Sequence, residues 1–419
     1  MARMRLLPAG LVAAALAATF AFACQSFSSD EVTSPGGDGG ATNDAEAGND
    51  DGAASGGEAP DAAVPSCADL QPVIVADGGE DPHCGAGGTE VVLGSSTLNC
   101  GSCGHACAGS LPCVNGMCAL PDVATPHRGS NVISGGTAVG LFVSSNDPSC
   151  ALDGGSDLAH LAGTALGTVA SAVGECFGHA EVVDGQLFLA STKGIRQGPA
   201  GAFTGGTVVP GTVPTGTVTA TRKTLFWVIG SNPTLWFLSR GTSMPVQLSS
   251  ATNYIPHRIA ADADAAYWVV NDQPAPAGAN LYRRADTGNV EKLFAGLPTT
   301  VSIALDRDFI YLGAVDGQIL RAPKSGAAAG AVAPVAAIVG ARPNLVGLAV
   351  DDAWVYAIGS EAAFPSDKAV DVWRAPKCGG RASKIGFFSQ ATVDRLVDLG
   401  DRLALPNVGS NGAVHFLGK

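Results

Sequence analysis

The chain has 419 residues, of which 46% are apolar, 6% aromatic and 15% charged, with a formal net charge of −13 at pH 7. A coiled coil would need roughly half its residues from A/E/K/L/R at a 3.5 period, and a nucleic-acid binder would need a basic face that 24 Lys and Arg against 37 Asp and Glu do not supply. The apolar fraction excludes a wholly disordered chain, and the length allows two or three domains or one large repeat fold.

The chain opens with Arg3 and Arg5, then an uncharged apolar run from Leu6 to Ala23 that ends Ala21-Phe22-Ala23. A basic start, an apolar middle and an A-x-A end describe a secretory signal peptide over residues 1–23. Cys24 stands where the mature chain would begin. This resembles the bacterial lipoprotein signal, in which that cysteine is acylated; the family prefers Leu where Ala21 stands. The resemblance implies attachment to a membrane through a lipid on Cys24. Ser26 occupies the place where an Asp would mark retention at the inner membrane, so the expected address is the outer membrane, on its periplasmic or surface face. Ordinary cleavage and secretion is the alternative.

Residues 24–66 join the lipid attachment to the cysteine-rich stretch that starts at Cys67. From Gln25 to Ser66 there is no Lys or Arg, while Asp30, Glu31, Asp38, Asp44, Glu46, Asp50, Asp51, Glu58 and Asp61 are spread through Gly, Ala, Ser and Asn. Such a segment buries too little to offset its ordering entropy, and its like charges repel. A disordered, extended tether is expected, with a reach on the order of 35 Å.

Residues 67–122 carry Cys67, Cys84, Cys100, Cys103, Cys107, Cys113 and Cys118 with few large apolar residues between them. A piece this small cannot build a core and needs covalent staples. Zinc is the rival, since C-x2-C is half of a usual site, but an exported chain meets an oxidising compartment in which thiols pair. No metal or cofactor is expected. Seven cysteines are odd, so one must reach outside the module or stay free. Cys150, Cys176 and Cys378 remain, and one cross-link would make all ten even. The pairing itself is not readable from sequence. The stretch from Asn99 to Cys107, continuing from Cys113 to Cys118, resembles the short NCGxCGxxC…GxC units of the plant Stig1 family. Similar units recur behind signal peptides in predicted lipoproteins of myxobacteria. The resemblance departs at Val114, where a second cysteine is expected, and it implies an extracytoplasmic disulfide module without an activity.

From 123 to 419 the sequence repeats, and a fixed period decides architecture before any local reading. Ile259, Asp262 and Tyr267 recur as Ile303, Asp306 and Tyr311, and again as Leu348, Asp351 and Tyr356, at offsets of 44 and 45. Val218–Phe226, with Thr221 in the Asp slot, Ile133–Leu141 and the tighter Val182–Phe188 fit the same frame. A second element follows each strong copy: Arg283 to Gly288, Arg321 to Gly326, and Arg374 to Gly379. A strand ending at an Asp turn, an aromatic strand, an Arg strand and a fourth strand make a propeller blade. The fold class is all-β: a β-propeller of about seven four-stranded blades, preceded by the small disulfide-rich module and the disordered tether. Blade starts are expected near Asn131, His179, Thr215, Pro256, Thr299, Asn344 and Val393. The last unit has room for three strands, and residues near Val123 to Ser130 would supply the fourth. A β-sandwich pair would not explain the repeat. The pattern resembles DUF5050-like and YWTD-like propeller families, with Tyr267-Trp268 and Phe226-Trp227 nearest their aromatic pair; this implies a fold more than a role.

No G-x-S-x-G, H-E-x-x-H, Walker or dinucleotide-binding motif is present. Asp262, Asp306 and Asp351 could be paired glycosidase carboxylates. Their equal placement in successive blades favours turn residues bonding their own backbone. Arg283, Arg321 and Arg374 read as solvated strand ends rather than a channel mouth. Tyr267, Tyr311 and Tyr356 read as inter-blade packing. The resulting expectation is a non-enzymatic, membrane-anchored binding or scaffold protein whose ligand is a protein or an envelope polysaccharide, with no nucleic-acid partner. The alternative is a glycan-active hydrolase or lyase on the same fold.

Overall fold

The computed structural model describes residues 100, 113–114, 117–118, 122–125 and, apart from short segments between strands, 131–419. The expected signal peptide, Cys24, the expected tether and Cys67, Cys84, Cys103, Cys107 and Cys150 lie outside the described residues.

The architecture follows from a few apolar runs. Leu141–Val143, Leu187–Ala190, Leu225–Val228, Ala265–Val269, Ile310–Leu312, Val355–Ile358 and Leu403–Leu405 are buried at every residue. A strand with one wet face alternates between apolar and polar; these do not, so both faces of their sheets must be covered. Each run lies in the second strand of a four-stranded antiparallel sheet. Blade one is Asn131–Gly136, Gly140–Asn146, Gly155–Ala162 and Ala165–Val173. Blade two is Phe177–Val183, Gln186–Ser191, Gly194–Pro199 and Thr207–Val208. Blade three is Thr217–Ala220, Thr224–Ile229, Thr234–Ser239 and Val246–Ser250. Blade four is Ile259–Ala261, Ala265–Asn271, Ala279–Ala285 and Val290–Leu297. Blade five is Thr300–Leu305, Phe309–Ala314, Gln318–Pro323 and Ala333–Ala337. Blade six is Asn344–Val350, Trp354–Ser360, Lys368–Pro376 and Ser383–Ala391.

Blade seven has only Val397–Asp398, Arg402–Asn407 and Ala413–Gly418 from the C-terminal side. Its fourth strand is Val123–Ala124, which pairs Val123 with Val414 and Ala124 with Ala413. The ring therefore closes through a strand from the other end of the repeat region, as the short last unit required. The expected blade starts at Asn131 and Asn344 coincide with the observed ones; the others fall within a few residues. The tighter spacing expected for blade two is not found: Glu181 pairs with Phe188 just as Ala260 pairs with Tyr267, and Asp184 and Gly185, both at positive φ of 50° and 70°, form its turn of the mirror-image type.

The core lies between blades rather than within them. Each junction has its own apolar cluster. Phe188, Ile195, Val218 and Trp227 join blades two and three; Phe226, Leu235, Ile259 and Trp268 join three and four. Adjacent residues of one second strand thus face opposite neighbours. Phe226 looks to the next blade and Trp227 to the previous one. The same holds for Tyr267, in the cluster of blades four and five, and Trp268. Truncating a buried aromatic of this kind costs about 3–5 kcal/mol. The junction of blades seven and one, through Ile133, Leu141, Val397 and Phe416, completes the circle.

The cysteine-rich region is described at one hairpin, Cys113–Val114 paired with Met117–Cys118, and at the disulfide Cys100–Cys113. Cys176 and Cys378 are also disulfide-bonded.

Candidate functional site: the Asp–Tyr–Lys face of the ring

Each recurrent Asp ends a first strand and makes two kinds of bond. Its Oδ1 accepts backbone N–H groups of its own turn. Asp262 takes Asp264 at 3.0 Å and Ala265 at 2.9 Å. Asp306 takes Asp308 at 2.9 Å and Phe309 at 2.7 Å, and Asp351 takes Ala353 at 2.9 Å and Trp354 at 2.7 Å. These are the Asx turns expected from the spacing.

The second oxygen reaches out of the blade. Asp262 Oδ2 accepts from Lys324 Nζ at 2.7 Å, Asp306 Oδ2 from Lys377 at 2.5 Å, and Asp351 Oδ2 from Lys419 at 2.9 Å. Each lysine belongs to the following blade, at the end of its third strand. Tyr311 and Tyr356 donate their phenols to the same oxygens at 3.0 and 2.8 Å. The lysine ammoniums also lie over the tyrosine rings, 5.6 Å from Tyr267, 5.7 Å from Tyr311 and 5.0 Å from Tyr356. One carboxylate thus fixes its own turn, a phenol and the neighbouring blade at once.

Two further junctions use the same positions, or the next residue along, with other residues. Thr221 fills the Asp slot of blade three and Asp286 the Lys slot of blade four, and the Thr221 hydroxyl donates to the Asp286 carboxylate. Arg240, in the Lys slot of blade three, lies 3.7 Å from Asp184 of blade two. Blades one and two are held differently. The Asn146 side chain donates to Phe177 O at 2.7 Å and accepts from Phe177 N at 2.8 Å, as a strand neighbour would.

Burial alone would raise the three aspartates. The lysine ion pairs and the backbone N–H donors outweigh it and hold all three below the usual carboxylate range. Burial and the facing carboxylate push the tyrosines up, Tyr267 to about 12. None of these groups is poised to exchange a proton near neutrality.

The arginines correct the sequence reading. Arg283, Arg321 and Arg374 are half-buried on third strands, two strands out from the innermost, so they are neither solvated ends nor a channel mouth. Arg321 stacks 4.6 Å over Phe309 and donates to Lys377 O at 3.1 Å, and Arg374 stacks 4.7 Å over Trp354. Arg321 and Arg374 act as packing arms beside the clasps, while Arg283 lies 3.8 Å from Glu291 of the adjacent strand.

Sequence reasoning missed Glu181. Opposite Phe226, Tyr267, Tyr311, Tyr356 and Ala404 the first strands carry Thr219, Ala260, Ala304, Ala349 and Val397, whereas blade two carries Glu181 opposite Phe188. Burial pushes its carboxyl up to about 7, against the pull of the Arg395 charge. A charged residue in a slot otherwise filled by small or apolar side chains was the available signal. Elsewhere, Phe294, Leu297, Val332 and intervening Ala and Gly line an open groove of about 720 Å³ between the fourth strand of blade four and the turn after the third strand of blade five. Among the described residues no group of three or more His, Cys, Asp or Glu is placed to hold a metal.

No family model matches the chain, and no curated protein matches it. Solved structures do. The β-propeller domain of Cps50 (Swd1) from Myceliophteria thermophila aligns at TM-score 0.49 and 12% identity, over 72% of this chain and 99% of that one. The C-terminal WD40 domain of Sif2 aligns at 0.45 and 10%, over 72% and 98%. BamB from Moraxella catarrhalis aligns at 0.42 and 10%, over 72% and 97%.

Asp306→Ala should destabilise the protein by about 2–4 kcal/mol at pH 7, since it leaves the half-buried Lys377 with the Asp351 carbonyl but no carboxylate and strands two backbone donors. Asp306→Asn should flatten the loss of stability below pH 4, because a depressed carboxylate stabilises above its unfolded value and ceases to do so as pH falls through its native one. Denaturant titration from pH 2 to 7 measures both. Glu181→Gln should have the opposite signature. A raised carboxyl penalises the native state as pH climbs from 4.5 to 7. The variant should match the parent at pH 4.5 and exceed it at pH 8 by about 1–3 kcal/mol, water in contact with the residue moderating the effect.

Proposed function

We propose that the chain is an extracytoplasmic binding or scaffold protein, in which the propeller is a rigid platform carried from a membrane by a lipid on Cys24 and the acidic tether. The observation that carries the platform reading is the fate of the recurrent polar residues. Asp262, Asp306 and Asp351 are bonded to lysines across junctions, and Asp306 and Asp351 to the tyrosines of their own blades, which fixes blade to blade and leaves the loops and outer strands to recognise a ligand. The disulfides at Cys100–Cys113, Cys176 and Cys378 suit an oxidising compartment. The ligand class is a protein or an envelope polysaccharide.

One observation favours the second reading, a glycan-active enzyme. Asp351 and Asp398 come from adjacent blades and both contact Lys419 Nζ, at 2.9 and 2.6 Å, which places them no farther apart than the roughly 5–5.5 Å of a retaining pair. The ammonium sits between them, however, and Asp351 is held low rather than raised. A general acid needs the reverse, so the binding reading is preferred.

Cys24→Ser should move the protein from the membrane pellet to the soluble fraction of its native host, with its envelope partners recovered by affinity capture of the parent and not of the variant. Unchanged partitioning would defeat the lipid anchor. Hydrolysis of envelope glycans by the purified chain, abolished by Asp351→Asn, would replace the scaffold reading with the enzymatic one.

A further inference from the structure

Blade seven has an incomplete outer edge. Its third strand, Ala413–Gly418, pairs along its whole inner side with Arg402–Asn407. On the outer side Val123–Ala124 reaches only Ala413 and Val414. His415, Phe416, Leu417 and Gly418 continue beyond that ladder, and an uncovered strand edge is a liability in any soluble protein.

Three observations say what covers it. Met117–Cys118 approaches Ala413–Gly418 to within 8 Å between Cα atoms. Asp122, one residue before the closing strand, bonds His415 Nδ1 through Oδ1 at 2.7 Å, which carries the contact one step past Val123–Val414 in the same direction. The hairpin containing Met117–Cys118 is itself stapled: Cys113 pairs with Cys118 across the hairpin and is disulfide-bonded to Cys100. Cys100 and Cys113 are 2% and 7% exposed, so this disulfide is packed against protein rather than displayed in solvent.

We infer that the Cys113–Cys118 hairpin is the cover of the blade-seven edge, and that the Cys100–Cys113 disulfide makes closure of the ring conditional on oxidation. The occupant of the edge is this chain's own cysteine-rich segment. A two-residue closing strand offers little by itself, since isolated short pairings are marginal. Beside it the seven–one junction is an apolar cluster. With the hairpin docked, the edge is covered and the chain leading into Val123–Ala124 is held against it. With the two thiols reduced, the hairpin loses its staple, the edge is bared and the last blade frays while blades three to six keep their clasps. A chain of this design closes its ring only where disulfides form. Neither the lipid on Cys24 nor any particular ligand enters this closure.

The test is hydrogen exchange on the oxidised full chain and on Cys100→Ser/Cys113→Ser. The expected result is backbone exchange at His415–Gly418 and Arg402–Asn407 faster by at least about tenfold, with the strands of blades four and five unchanged, since exchange reports local opening. Met117→Pro, which breaks the hairpin and keeps every cysteine, should show the same pattern, and it carries the test should the double variant fail to fold. Parent-like protection of His415–Gly418 in Met117→Pro, or equal acceleration in every blade, would overturn the proposal.

Discussion

A sheet with two apolar faces cannot stand alone, and the rest of this structure depends on that constraint. An unbroken apolar run in each of seven second strands leaves each sheet needing a cover on both sides. A row of such sheets always has two bare ends, and a ring has none. The repeat therefore sets the closure problem as well as the blade, and the chain answers it by pairing Val123–Ala124 with Val414 and Ala413. The apolar clusters lie at the junctions, so the free energy of the domain resides in blade-to-blade contact.

Polar chemistry is layered on that packing and points one way around the ring. Tyr267, Tyr311 and Tyr356 each face the following blade, and that blade returns a lysine to the carboxylate beside the phenol. Asx bonds, phenol bonds and the ion pair share one carboxylate, so losing the Asp would undo all of them while losing the Lys would undo one. Junctions from blade two to blade seven use this arrangement or a substitute for it, such as Thr221 with Asp286. Blades one and two use the Asn146 amide as a false strand. Blades seven and one rely on apolar contact and on the chain itself, which passes from Ala124 in one blade to Asn131 in the next.

The blade plan was legible because strand, Asp turn and aromatic recur at fixed offsets, and the Asp and Tyr assignments followed from their common slot. The lysines stood in view within Pro323-Lys324 and Pro376-Lys377, but their partners lie 62 residues away for Lys324 and 68 for Lys419. A bond between blades has no local periodicity to betray it. The arginines were misread for a different reason: a charged residue on a third strand looks solvated until the aromatic of the adjacent strand of its own blade, Phe309 or Trp354, is placed beneath it. Glu181 was hidden because Val183 stands where the other copies carry Asp, which shifts the apparent frame of blade two by one residue. The inverted Thr221–Asp286 pair shows that the slots are tied to positions rather than to residue types.

Distances around the ring test this account most directly. Asp264, Asp308 and Asp401 are exposed at equivalent turn tips of blades four, five and seven. Spin labels placed there in pairs on the full chain report separations between first, second and third neighbours by electron–electron resonance. A closed seven-blade propeller puts the 308–401 and 264–401 distances at about 1.8 and 2.2 times the 264–308 distance. Ratios near 2 and 3 would mean an open stack of sheets and would contradict the account.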